Sequence, residues 1–236
     1  GCKKWKTGCF NCEQRGTYPA SKVLDNSKWN WNKKKALFTN LNLIIVTPSQ
    51  WLRDNVMKSY LRDYRCEVIN NGIDLNMFKP ADKCETKKLK KKYDLDARKI
   101  VLGVASEWTP KKGLLDFIEL SEMMQDIQFV IVGLTERQIK EMPKNRTENQ
   151  RELAVLYTIA DVFFNPTYED NFPTTNLEAL ACGTPVITYD TGGSPEALEV
   201  KEKDLSISIG EVIEKTSPAT VSYETVKVRI YSFLKK

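Results

Sequence analysis

Short apolar runs alternate with segments of helical period along much of the chain. Ile100–Val104, residues 129–132 and 162–164, and Val186–Tyr189 are compact and apolar. Turn-forming residues such as Asn165-Pro166 bound them, which predicts buried strands. Between them, residues 114–124 and 153–160 repeat their apolar positions at helical spacing. After the third run, Leu177, Leu180 and Ala181 fall on one face of a short helix that Thr174 or Thr175 caps and Gly183 and Pro185 end. Strands alternating with helices need a parallel sheet covered on both faces. The predicted fold class is therefore α/β, a doubly wound, Rossmann-like layer structure. Further upstream, residues 43–46 form a strand-like run ended by Thr47-Pro48, and Ser49 opens an amphipathic helix through Trp51, Leu52, Val56 and Tyr60. Residues 67–69 predict another short strand before the turn Asn70-Asn71-Gly72. Regular patterning begins at Ala36; residues 1–35 are basic and rich in Trp, Asn and Cys.

An apolar share of 41% suits a folded globular protein, and no apolar run approaches the ~20 residues needed to span a bilayer. The first residue is Gly1 rather than Met, and the chain reads as a fragment. The net charge of +5 is concentrated in lysine clusters at 33–35 and 87–92. These read as solvated faces, with contact to anionic lipid at the cytoplasmic membrane surface as the functional alternative. No nucleic-acid partner is expected, because no recognised binding motif accompanies the mixed Trp and Lys near the start. Cys9 and Cys12 form a CxxC pair, with Cys2 as a third thiol, and the chain contains no histidine. The set suits a structural zinc only if a fourth ligand comes from elsewhere; otherwise these are three reduced thiols, or a disulfide in an oxidising compartment. Cys66, Cys84 and Cys182 stand alone, and Cys182, at a helix end, reads as a small buried residue. Asn145-Arg146-Thr147 fits a glycosylation sequon but carries little weight in the cytosolic setting expected here.

Candidate chemistry concentrates in residues 165–196, NPTYEDNFPTTNLEALACGTPVITYDTGGSPE. A loop that leaves a strand and opens a helix presents unpaired amides at the carboxyl edge of the sheet, where phosphates bind. Asp170 and Glu178, eight positions apart, flank those amides. A carboxylate there would repel phosphate, so each is better suited to accept hydrogen bonds from hydroxyls of a sugar or ribose. Together they suggest a nucleotide-diphosphate sugar. Simpler readings stand beside these. Thr175 and Glu178 have capping-box spacing, Glu169 and Asp170 could be a solvated loop pair, and Gly192-Gly193-Ser194-Pro195 could be only a turn before a helix.

The stretch resembles the donor-site signature of retaining glycosyltransferases with the GT-B fold, family 4, of bacterial polysaccharide type. The match runs through Asp170, Asn171, Phe172, Pro173, Glu178, Ala179, Ala181, Gly183, Pro185, Val186, Gly192, Gly193 and Glu196. Asp170 stands where most members carry Glu, which leaves open whether Glu169 or Asp170 reaches the sugar. VTPSQWL and NNGIDLNMFKP resemble the end of the family's acceptor domain. The resemblance therefore implies a remnant of the N-terminal acceptor-binding domain at residues 1–80 and a C-terminal nucleotide-sugar-binding domain at 81–236, with the rest of the first domain upstream. It further implies that Lys112, in ASEWTPKKG, holds the donor diphosphate and stabilises the leaving nucleotide. The arginine that members often carry nearby is replaced by Ser106, Glu107 and Trp108, so a second cation is absent or is Lys111. Amides from Phe172, Thr174 and Thr175, in the loop with Asn171 and Pro173, would meet phosphate, Asp170 the sugar and Glu178 the ribose. No cofactor is implied for catalysis. The activity implied is transfer, with retention, to a glycan or lipid-linked acceptor in cell-surface polysaccharide synthesis, in the cytoplasm or at the cytoplasmic face of the inner membrane. A structural zinc would draw on His and Cys upstream. The resemblance fades after Glu196, and residues 201–236 show no match to the strand and helix that close such domains. Two rival readings are a nucleotide-binding half-domain without chemistry and a zinc-stabilised interaction module.

Overall fold

A computed structural model describes residues 2–16, 20, 21, 23–135, 138, 150–199, 210–213 and 223–234. The sequon at 145–147 lies outside them. The chain divides into two compact units, Gly1–Asn70 and Asn71–Lys236.

In the first unit, a helix α1 (Ser27–Phe38) precedes β1 (Ile45–Thr47), α2 (Gln50–Val56) and β2 (Cys66–Val68). The two strands pair in parallel, Ile45 opposite Cys66 and Thr47 opposite Val68. Helix α1 was not expected from the sequence, and its composition explains why. SKWNWNKKKALF has no apolar stripe, and none of its residues is buried, so it leaves no periodic signal. Ser49 caps α2 as expected, its hydroxyl accepting from the Leu52 amide at 3.1 Å. The helix stops at Val56 instead of continuing to Tyr60. There the Ser59 hydroxyl donates to the Val56 carbonyl at 2.7 Å, and the chain enters a turn.

The second unit holds five parallel strands, β3 (Ile100–Val104), β4 (Gln128–Val132), β5 (Val162–Asn165), β6 (Val186–Tyr189) and β7 (Gly210–Ile213), in the spatial order β4-β3-β5-β6-β7. Helices α3 (Lys83–Lys92), α4 (Leu114–Met123), α5 (Gln150–Ile159), α6 (Thr174–Ala181) and α7 (Tyr223–Leu234) complete it. Neighbouring residues on the central strands supply opposite cores. Leu102, Phe163 and Val186 pack with Leu89 of α3 and Leu156 and Tyr157 of α5. Val101, Phe164 and Ile187 pack with Phe117 and Leu120 of α4 and Val226 and Ile230 of α7. Burial on both faces is why these strands read as continuous apolar runs. The order reverses between β3 and β5, and such a switch point opens a crevice at the carboxyl ends of the strands.

One sequence reading holds here, a second is refined and a third changes. The lysine run at 87–92 belongs to α3, opened by a capping box between Asp82 and Glu85, with only Leu89 buried. Glu85 also receives both arms of Arg151 from α5, at 2.6 to 3.0 Å. Residues 71–80 lie within the second unit rather than the first: Ile73, Met77 and Phe78 pack in its core. Finally, the tail supplies the closing strand and helix that its sequence did not disclose. β7 pairs with β6 from Val186 opposite Gly210 to Tyr189 opposite Ile213, and Val226 and Ile230 of α7 are fully buried.

Candidate functional site

Among the loops that leave the carboxyl edge of the second unit's sheet are 105–113 after β3, 166–173 after β5 and 190–195 after β6. Backbone contacts join them. The Tyr168 amide donates to the Lys111 carbonyl at 2.8 Å, and the Gly193 amide donates to the Asp170 carbonyl at 2.9 Å. The Thr191 hydroxyl donates to the Thr167 carbonyl at 2.6 Å. Two glycines permit these approaches. Gly113 has φ +74°, and a Cβ on it would lie 2.1 Å from the Pro166 carbonyl oxygen. Gly192 has φ +62°, and a Cβ on it would lie 2.1 Å from the carbonyl oxygen of Asp170. The glycine pair is therefore a brace for the Asp170 loop as well as a turn.

The first two of these loops, with residues 133–135 after β4, line a cleft of about 630 Å³, and the third braces it from behind the Asp170 loop. Of the residues singled out in the sequence, Lys112, Asp170, Phe172, Pro173, Thr174, Thr175 and Glu178 line it; Lys111, Glu169 and Asn171 do not. Asp170, rather than Glu169, is thus the acidic residue at the cleft. The Lys112 ammonium donates to Asp170 Oδ2, and the Phe172 amide donates to Asp170 Oδ1 at 3.2 Å. Lys111 pairs with Glu169 at 2.6 Å outside the cleft. The second cation suggested for Lys111 is not among the lining groups.

Helix α6 begins at Thr174 with Pro173 at the cap position and no side-chain cap. Neither Thr174 nor Thr175 is the cap, because both lie inside the first turn. The Asn176 amide donates to the Pro173 carbonyl at 3.2 Å, whereas the amides of Thr174 and Thr175 have no acceptor within the helix, and the helix dipole adds partial positive charge where Phe172 to Thr175 line the cleft. The capping box proposed for Thr175 and Glu178 does not form. Glu178 sits beyond the first turn and accepts from the Tyr157 hydroxyl of α5 at 3.1 Å. Burial pushes the Glu178 carboxyl above its usual value, opposed by hydrogen bonds from Tyr157 and Thr174. Behind it, Cys182 is buried as expected, and burial pushes its thiol up to about 12.

Several groups at the site had not been singled out. Asn71, Thr135 and Asn165 also line the cleft. Their positions at strand ends and a turn were the available signal. Asn165 donates to Asn176 Oδ1 at 2.8 Å, a buried amide pair linking β5 to α6. Asp116 of α4 carried no motif signal at all. It is 4% exposed and accepts from three phenols: Tyr168 and Tyr189 on Oδ2, the latter at 2.6 Å, and Tyr223 on Oδ1 at 3.3 Å. Burial first, and the Asp116 carboxylate with it, pushes the Tyr168 and Tyr189 phenols far up, so they remain protonated donors. Cys2, Cys9 and Cys12 are free thiols, with Cys9 pushed up by burial and by the neighbouring Cys2 and Cys12. Among the described residues, no group of three His, Cys, Asp or Glu side chains is arranged to hold a metal ion.

Tyr157→Phe tests how Glu178 is held. Removing the hydroxyl takes a donor from the charged carboxylate, so the folded-state pKa of Glu178 rises further. If the carboxylate receives ligand hydroxyls, affinity lost on acidification should begin to fall at a higher pH in Tyr157→Phe than in wild type. Titrations across a pH series would show it, and superimposable profiles would rule out coupling between the two groups.

The family described as glycosyl transferases group 1 matches residues 85–222, more than half of the chain. The chain belongs to this family. Every lining residue of the cleft except Asn71 lies within the matched range. The group 1 chain is 28% identical over 161 residues to the processive diacylglycerol alpha-glucosyltransferase of Acholeplasma laidlawii, covering 62% of itself and 48% of that protein. To the alpha-galactosylglucosyldiacylglycerol synthase of Streptococcus pneumoniae it is 27% identical over 168 residues, covering 63% and 44%. It therefore spans less than half the length of either relative. Its fold matches that of Anabaena HepE, crystallised with UDP and glucose, with a TM-score of 0.65 at 18% identity over 87% of this chain and 57% of that one. The second unit accordingly has the Rossmann-like α/β layering of the GT-B fold. No helix among the described residues is long and apolar enough to cross a membrane.

Proposed function

We propose that the cleft is the donor site of a retaining glycosyltransferase that moves a sugar from a nucleotide-diphosphate donor to a glycan or lipid-linked acceptor. The observation that carries this is the meeting, in one cleft, of one lysine, one uncapped helix N-terminus and two carboxylates on either side of it. Lys112 and the first-turn amides of α6 suit a diphosphate, and Glu178 suits the ribose hydroxyls. Asp170 suits the sugar. As the bond from the sugar's anomeric carbon to the phosphate oxygen breaks, negative charge grows on the phosphate, and the fixed Lys112 ammonium lowers that barrier. The departing phosphate oxygen then takes the proton of the acceptor hydroxyl that attacks the same face, so configuration is retained. This chemistry asks for no metal and no protein base. UDP in the Anabaena structure supports a nucleotide donor, and the two relatives' names support a lipid-linked acceptor in cell-envelope synthesis. A nucleotide-sugar donor supports a reaction in the cytoplasm or at the cytoplasmic membrane face.

Calorimetric titration of UDP, GDP and ADP into the wild-type chain and Glu178→Gln tests the reading. One nucleotide should bind, and the substitution should weaken it by about 1.5–3 kcal/mol, the worth of a hydrogen bond to a charged group. Unchanged affinity in a folded Glu178→Gln chain would remove Glu178 from the ribose.

A further inference from the structure

We infer that Asp170 makes the cleft discriminate against a bare nucleoside diphosphate in favour of one that carries a sugar. This rests on the donor-site reading above and concerns how that site releases its product. Lys112 is the cleft's lysine, and its ammonium donates to Asp170 Oδ2. A diphosphate that engages Lys112 must therefore share that ammonium with Asp170 and lie beside its carboxylate.

Asp170 cannot readily withdraw. Its carbonyl accepts from the Gly193 amide, Gly192 packs against that same carbonyl, and its Oδ1 accepts from the Phe172 amide. Its side chain is 19% exposed and that of Lys112 33%, so water screens the pair only partly. With a sugar on the diphosphate, its hydroxyls donate to the carboxylate beside the lysine and offset the repulsion between carboxylate and phosphate. A bare diphosphate brings no donor and sets one anion beside another. Asp170 thus favours the donor and disfavours the product.

The structure supplies its own control. Lys111 and Glu169, the adjacent residues on the same two loops, form a second ion pair at 2.6 Å, with side chains 65% and 48% exposed and outside the cleft. Neutralising Glu169 changes net charge by the same amount as neutralising Asp170, without touching the Lys112 contact.

The test is calorimetric titration of UDP, GDP and ADP into wild type, Asp170→Asn and Glu169→Gln, each shown folded by thermal melting. Asparagine keeps Oδ1 to accept from Phe172. The nucleotide that binds should bind Asp170→Asn about tenfold more tightly than wild type, the scale of one hydrogen bond to a charged group. Glu169→Gln should stay within about twofold, as expected for an exposed pair. Binding seen only in Asp170→Asn also supports the inference. Equal or weaker binding by Asp170→Asn overturns it while leaving the donor site intact. Equal tightening in both variants overturns it in favour of net charge. If no nucleotide binds any of the three proteins, the donor-site reading fails and takes this inference with it. Asp170→Ser reads the same quantity should Asp170→Asn not fold.

Discussion

Lys112→Ala is expected to lower the rate of sugar transfer by about 10²- to 10³-fold, the scale seen when one preorganised group facing developing negative charge is removed. The structure gives two reasons for a large effect. Lys112 is the lysine lining the cleft, because the neighbouring Lys111 is directed to Glu169 outside it. Its loss also leaves Asp170, a largely buried carboxylate, without the ammonium it now contacts and close to incoming phosphate. The two terms have the same sign. The double variant Lys112→Ala, Asp170→Asn should consequently recover part of the nucleotide affinity that Lys112→Ala loses, a coupling a double-mutant cycle measures directly. Additive losses would mean that the two side chains act independently. The rate is read as nucleoside diphosphate released from whichever donor the protein binds.

Asp116→Asn is expected to destabilise the protein by about 2–4 kcal/mol in denaturant unfolding, because three tyrosine hydroxyls lose a shared anionic acceptor in a buried setting. The amide offers one acceptor oxygen and turns an NH2 toward groups that are themselves donors. Tyr189→Phe removes one donor and leaves Asp116 with two others, so its cost should be smaller, about 1 kcal/mol. An Asp116→Asn protein as stable as wild type would show the cluster to be loosely held. The cluster matters to the site through its placement. Asp116 lies in the first turn of α4, directly after the Lys112 loop. Tyr168 precedes Glu169 and Asp170, Tyr189 ends β6 ahead of the glycine pair, and Tyr223 opens α7. One carboxylate ties the segments around Lys112, Asp170 and the glycine pair to the closing helix.

The α/β layering was readable from sequence because its central strands are buried on both faces. Ile100–Val104 and Val186–Tyr189 came out with the bounds expected from their apolar runs, as local burial writes itself into local composition. The Asp170 loop was readable for a related reason. Asp170, the amides after it and Glu178 lie within one strand-loop-helix unit, so their spacing along the chain already fixes their proximity. Helices α1 and α3 were missed because they are polar and bury almost nothing: α1 has no buried residue and α3 only Leu89. The closing elements β7 and α7 escaped because a short strand is recognised by its neighbour, β6, and not by its own residues. Only tertiary structure decided between readings that the sequence left level. It directed Glu169 outward and Asp170 inward, and it gave Glu178 to Tyr157 and the cleft instead of to a capping box. It also gathered three tyrosines from distant segments around Asp116. The physical reason is one of range. Periodicity and caps are set by residues within a few positions of one another, whereas the direction of a side chain and the partners of a buried charge are set by whatever the fold brings against it.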